Sequence, residues 1–234
     1  RQALYENTIG AANVAVGGAA GNTNTNGDFN VFLGHDADAN AGTYDNGMAL
    51  GYSSTVTASN QVRVGNGTMM SIGGFVAWTN LSDARFKNNI KENVPGLDFI
   101  LRLRPVTYQL DIPEINRFIG VEENEESMPV PLASTEQVRT GFLAQEVEEA
   151  ALASSFDFDG IDKPQNQHDL YGLRYAEFTV PLVKAVQEQQ TQITLLDARI
   201  KDLEERNYLL ESKLMELDQL KAAIKILNDR NPQK

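Results

Sequence analysis

The chain reads as an all-β N-terminal part, an α+β middle and one long C-terminal helix, and three observations carry that reading. Short apolar segments closed by glycine recur near the N-terminus at almost constant spacing. The Gly-, Asn- and Thr-rich composition stops around residue 82, and apolar residues then keep a heptad rhythm through much of residues 181–230. These changes divide the chain into residues 1–81, 82–180 and 181–234.

In the first part the repeated segments are Val14-Ala15-Val16-Gly17, Val31-Phe32-Leu33-Gly34, Met48-Ala49-Leu50-Gly51 and Val62-Arg63-Val64-Gly65. Their glycines are 17, 17 and 14 residues apart, and Asn13, Asn30, Asn46 and Asn60 stand just upstream. Asn, Asp, Thr and Gly fill the intervals, as expected for short strands joined by turns that need positive φ. Such a period predicts a single-layer β-solenoid, or β-roll. Each strand is expected to turn two apolar side chains inward, too few to offset the entropy of ordering one thin coil, so neighbouring chains are expected to complete the core. A monomeric β-sandwich of short strands is the alternative. His35, Asp36 and Asp38 fall in the turn after the second segment, where a solvated loop is expected rather than a cation site. Phe75 and Trp78 are bulky enough to plug the end of the core.

The formal charge of −12 leaves no clustered Lys and Arg for phosphate, which excludes nucleic acid and anionic membranes as expected partners. With no cysteine there are no disulfides, thiolate metal sites or cysteine nucleophiles. No apolar run approaches the roughly 20 residues of a membrane span, so membrane insertion is not expected, and no signal-peptide pattern is present. Arg1 in place of an initiator methionine suggests a C-terminal piece of a longer chain.

The change of composition falls on Leu81-Ser82-Asp83-Ala84-Arg85-Phe86-Lys87-Asn88-Asn89-Ile90. Ser82 and Lys87 are five residues apart, and an amine that loses its proton in an apolar site can take a hydroxyl proton. A strand-to-helix turn capped by the serine would place the same residues together without chemistry. Beyond it, Pro95-Gly96 precedes an apolar run suited to a short helix, Arg104-Pro105 ends that helix, and residues 106–110 alternate as a strand should. The acidic residues 122–127, followed by Pro129 and Pro131, predict a surface loop or hairpin tip. Gln145 and Glu146 open a helix expected to run to Ala153, with Val147, Ala150 and Ala151 on its apolar face. Asp157, Asp159 and Asp162 surround Gly160, but at spacings that depart from an EF-hand, which makes a plain acidic turn the expectation. His168 reads as a surface histidine.

Four of these stretches resemble, in order, the intramolecular chaperone domain at the C-terminus of endosialidase tailspikes and many tail fibres. They are residues 82–90, residues 96–108, Thr140-Gly141-Phe142-Leu143-Ala144-Gln145-Glu146-Val147 and Tyr171-Gly172-Leu173-Arg174-Tyr175-Ala176-Glu177-Phe178. The upstream repeats, over about residues 7–70, look like the heads of trimeric adhesins and phage-type tail fibres. The resemblance implies a Ser82–Lys87 self-cleaving dyad that cuts the Leu81–Ser82 bond once, in cis, without metal or cofactor. It also brings Gln145 close to the dyad, either to orient the scissile peptide and its oxyanion or as a polar helix residue with no catalytic role. Asp83 either orients the turn or pairs with Arg85 and so keeps a charge away from Lys87.

In the last part Val186, Ile193, Ile200, Asn207 and Leu214 recur every seven residues, each followed after three by Gln189, Leu196, Leu203, Leu210 and Leu217. This a/d seam predicts a coiled coil, with a slip in which Leu220, Ile224 and Leu227 continue the line. Ile at a with Leu at d and Asn207 at a suits a parallel dimer, whereas the resemblance implies a trimer matching a three-chain solenoid.

The whole predicts an α+β chaperone domain with a C-terminal trimeric coiled coil behind a β-solenoid fibre end. It would trimerise and register the upstream fibre of the same chain, in a virion tail fibre or at an extracellular or cell surface, and then release itself. An uncleaved structural tip or adhesin module is the second reading, and a self-cleaving membrane-bound transcription factor a third that the acidic charge disfavours.

Overall fold

The computed structural model describes residues 2–121 and 132–230. By internal contacts they fall into two units: Arg1–Asn93 with Arg102–Phe178, and Val94–Leu101 with Thr179–Lys234. The acidic stretch 122–127 with Pro129 and Pro131 lies outside the described residues.

In the first unit, β1 (Val14–Val16), β2 (Val31–Leu33), β4 (Met48–Leu50) and β6 (Val62–Val64) form a parallel sheet in that order. Val14 pairs with Val31, Val31 with Met48 and Met48 with Val62, so the ladder steps reproduce the glycine spacing. A second parallel ladder joins β3 (Asp38–Ala39) to β5 (Thr55–Val56). Each pass of the chain thus lies on the one before it, and turn amides reach the next pass as well, as in Thr25 N to Gly42 O at 3.0 Å. The glycine that ends each strand is there for two reasons. Gly17 and Gly34 have φ of 139° and 141°, and a Cβ on either would stand 2.3 or 2.4 Å from the carbonyl oxygen of the glycine one pass on.

The inward side chains differ from the expectation. The middle residues of β1, β2 and β4 point into the coil: Phe32 and Ala49 are fully buried and Ala15 partly so. Their apolar neighbours Val14, Val16, Leu33, Val62 and Val64 lie exposed on the other face. The interior is narrow, filled by Ala20, Phe32, Ala37, Ala39, Ala49 and Val56, and only small residues plus one phenylalanine fit it. The four asparagines also separate into two kinds. Asn13 and Asn30 stand immediately before a strand and form a buried ladder: Asn13 Oδ1 accepts from Asn30 N at 2.8 Å, and Asn30 Oδ1 accepts from Gly47 N at 2.8 Å. Asn46 and Asn60 stand one residue further back, in left-handed turns with φ of 53° and 60°. The position before the last strand is taken by Gln61.

Phe75 and Trp78 do not plug this core. Trp78 is 90% exposed and Phe75 fully so, because residues 69–93 make no packed layer within one chain. His35, Asp36 and Asp38 form a turn in which His35 Nδ1 lies 2.9 Å from the Asp36 carboxylate. Burial pushes the Asp38 carboxyl up, against the opposing bonds it accepts from the amides of Ala39 and Thr23.

Further along the same unit, β7 (Val106–Tyr108) pairs antiparallel with β8 (Arg139–Gly141), and α4 (Ala144–Ala153) buries Val147, Ala150 and Ala151 as the spacing predicts. The intervening α2 (Ile112–Phe118) is capped by Asp111, and α3 spans Leu132–Glu136. β9 (Ile161–Asp162) and β10 (Gly172–Leu173) form a short antiparallel pair. An aromatic cluster holds these pieces: Phe142 stacks on Phe178 at 5.3 Å, Phe158 meets Phe178 edge-on at 4.8 Å, and Tyr175 stacks on Phe178 at 5.8 Å.

The second unit pairs α1 (Leu97–Ile100) with α5 (Thr179–Arg230). Leu97 N donates to Glu188 Oε2 at 2.8 Å, and a Cβ on Gly96 would lie 2.6 Å from Ala185 N, so only glycine lets α1 approach that closely. Pro181 sits in the first turn of α5, where its missing N–H leaves no bond unmade. The apolar line along α5 is bare: Ile193 is 50% exposed, and Val186, Leu196, Ile200, Leu203, Leu210, Leu214 and Leu217 are all exposed.

Candidate functional site

Ser82 and Lys87 flank a single 3-10 turn, Ala84–Phe86. Asp83 makes that turn: its side chain caps it by accepting from Arg85 N at 2.9 Å, and its carbonyl accepts from Phe86 N at 3.1 Å. The turn closes with Lys87 N on Ala84 O at 3.2 Å, which brings the lysine side chain back toward the serine. Lys87 Nζ lies 2.8 Å from Ser82 Oγ, donating to it. Asp83 is occupied elsewhere, since Arg85 Nη2 donates to its Oδ2 at 2.6 Å and Arg85 Nε reaches both oxygens. The side-chain and backbone bonds from Arg85 hold the Asp83 carboxyl below its ordinary range, and Asp83 in turn raises Arg85. The acid therefore shapes the turn and pairs with Arg85, and leaves the amine facing the hydroxyl. Leu81, Ser82 and Lys87 are all exposed in the single chain.

Gln145 occupies the first turn of α4, exposed on the rim of an open groove of about 490 Å³. That groove is lined by Tyr108, Phe142, Leu143, Tyr171 and Tyr175 among others, and by neither Ser82 nor Lys87. Gly141 is the close-approach point beneath it, because a Cβ there would sit 2.1 Å from the Tyr175 hydroxyl, which accepts from Phe142 N at 3.0 Å. Another lysine of the same unit, Lys163, is paired with Glu148 at 2.6 Å, and that bond raises Lys163 and lowers Glu148. Such a partner keeps a lysine charged and unfit as a base. Asp162 is bound to Arg174 at 2.9 Å, and His168 Nδ1 lies 3.3 Å from Phe118 O at the surface. Among the described residues no three His, Asp or Glu side chains gather as a metal site would require. No helix among them is long and apolar enough to cross a membrane.

One polar centre was not legible in the sequence. Asp169, 4% exposed, accepts from Thr57 Oγ1 at 2.5 Å and from Gln61 Nε2 at 3.1 and 3.3 Å, joining the loop before β10 to the last pass of the parallel stack. The available signal was small: Gln61 breaks the series of Asn13, Asn30 and Gly47 at the position before each strand.

Three of the four motif stretches meet in the structure. Residues 106–108 pair with 139–141, and residues 142 and 175–178 share the aromatic cluster. A Ser/Lys pair thus precedes the α+β part of the chain, and a long helix with a heptad line of apolar residues follows it. Residues 82–156, about a third of the chain, match the family described as chaperone of endosialidase. No curated protein and no solved structure gives a match.

Proposed function

We propose that the chain is the C-terminal intramolecular chaperone of a fibre or tailspike, assembling as a homotrimer and then freeing itself by cutting Leu81–Ser82. The observation that carries this reading is the 2.8 Å approach of Lys87 Nζ to Ser82 Oγ inside the family match. In the reaction, Lys87 takes the Ser82 hydroxyl proton while Oγ attacks the Leu81 carbonyl carbon. The C–N bond breaks as Lys87 returns the proton to the Ser82 nitrogen, which leaves an ester in place of the amide. Water then hydrolyses the ester, giving a Leu81 carboxylate and an N-terminal Ser82 with its hydroxyl restored.

A lysine in water has a pKa of about 10.4 and is charged at neutral pH, so a lysine base needs desolvation. Lys87 is exposed in one chain, and so are Trp78, Leu81, Phe86 and Ile90 around it. Packing of further copies over this stretch would supply the dry surroundings and tie the cut to assembly. The bare apolar lines of α5 and of the sheet at Val14, Val16, Leu33, Val62 and Val64 support self-association, as a three-chain coiled coil and a β-solenoid with a shared core. We place such a particle in a virion tail or at an extracellular surface, with no nucleic acid, metal or cofactor.

A denaturing gel of the assembled protein tests the cut: wild type gives pieces of one third and two thirds of the chain, and Ser82→Ala and Lys87→Ala stay whole. An intact wild-type chain after trimerisation would falsify the peptidase reading. The second reading, an uncleaved tip, is favoured by one observation, the buried Asp169 contact that fastens the domain to the stack.

A further inference from the structure

Residues before Leu81 and residues after Ser82 are joined by more than the peptide bond between them. The loop from Gln165 to Leu170 folds around the Asp169 carboxylate, which accepts from its own Gln165 N at 2.9 Å and Leu170 N at 3.0 Å. The same carboxylate takes Thr57 Oγ1 and Gln61 Nε2 from the stack, with Arg63 Nη2 at 3.8 Å. Asn166 adds a second grip: its Nδ2 donates to Thr57 O at 2.7 Å and to the Tyr44 hydroxyl at 3.2 Å. Beside these bonds Ile112 of α2, 3% exposed, packs on Gly67, where a Cβ would stand 2.3 Å from its Cγ2.

The chemistry of this contact is one-sided in a useful way. A buried carboxylate that accepts from the loop and from the stack makes hydrogen bonds roughly twice as strong as neutral ones, and losing either set of partners leaves polar groups to be satisfied elsewhere. Residues 69–93, by contrast, are exposed throughout.

We propose that the Asn166–Asp169 loop is a latch that recognises the last pass of the stack through Thr57, Gln61 and Arg63. It keeps the two sides of the chain together after the covalent link is cut, so that cutting and release are separate steps. The timing rests on the cleavage reading above; the latch itself does not.

The test therefore avoids the dyad. In full-length Ser82→Ala protein, residues 72–78 are replaced by the recognition sequence of a site-specific protease, the chain is cut, and the pieces are run on a native sizing column at neutral pH. The latch predicts that they co-elute, and that Asp169→Ala weakens their association by about 100-fold, the loss of one to two charged hydrogen bonds. Thr57→Val combined with Gln61→Leu, from the other side of the contact, should separate them as well, which guards against a misfolded loop in the first variant. Pieces that part in the parent protein, or that stay together with unchanged affinity in both variants, would overturn the latch. Failure of the Ser82–Lys87 chemistry leaves this result untouched.

Discussion

The parallel stack and the stretch 69–93 adjoin in sequence and differ in how they meet their obligations. Each pass of the stack gives its amides to the next, its Asn13 and Asn30 side chains to neighbouring passes, and its small middle residues to an interior that one chain can close. The stretch 69–93 gives nothing to a core: Phe75, Trp78, Leu81, Phe86 and Ile90 all face outward. Order inside one chain thus comes from repetition, where each turn is the template for the next. The stretch 69–93 has neither a repeat nor a core of its own to pack on.

The strongest way to break this comparison is to block the proposed self-association. Ile193→Asp with Ile200→Asp puts charges on the exposed seam of α5. The expected result is a monomer by light scattering, with limited proteolysis entering first between residues 69 and 93 and the stack surviving; simultaneous loss of the stack would refute the idea that it folds by repetition. A smaller effect comes from within. Phe32→Ala removes the one large side chain of the narrow interior and should cost about 3–5 kcal/mol, read as a lowered melting temperature. A loss under about 1 kcal/mol would mean that the interior is closed by something other than Phe32.

The smallest effect sharpens the far side of the stack. Burial alone would raise the Asp169 carboxyl, but the bonds from Thr57, Gln165, Gln61 and Leu170 outweigh it and hold it below the ordinary aspartate range. A carboxyl lowered in the folded state contributes fully at pH values above its unfolded pKa and loses that contribution as pH falls through the folded one. The contact, faced by Arg63 and Tyr44, should therefore hold at neutral pH and loosen only in strong acid. In a titration followed by native sizing, Asp169→Asn should lack that acid step; an identical profile would remove Asp169 from the account.

The glycine spacing made the ladder steps readable, because those positions all take a positive φ and Gly17 and Gly34 also have no room for a Cβ. Which face of each strand turns inward was not readable, since both faces of Val14-Ala15-Val16 are apolar. In that strand the two valines lie outside and the small Ala15 fits the coil. Ser82 and Lys87 were found by a local motif, and the three-residue 3-10 turn between them delivers them. Asp169 was invisible because its partner Thr57 is 112 residues away and no period links the two.

The column of Gly17, Gly34 and Gly51 also bears on how such a chain changes over generations. Gly17 meets Gly34, and Gly34 meets Gly51, too closely for a Cβ, so point mutation at those two is closed, yet duplication of a whole 17-residue unit restores every contact it interrupts. A duplicated unit after Gly34 should melt with the parent, and a 16-residue insert well below it. Length is then the heritable variable, adjustable only in whole units, while the tip that closes the stack stays the same.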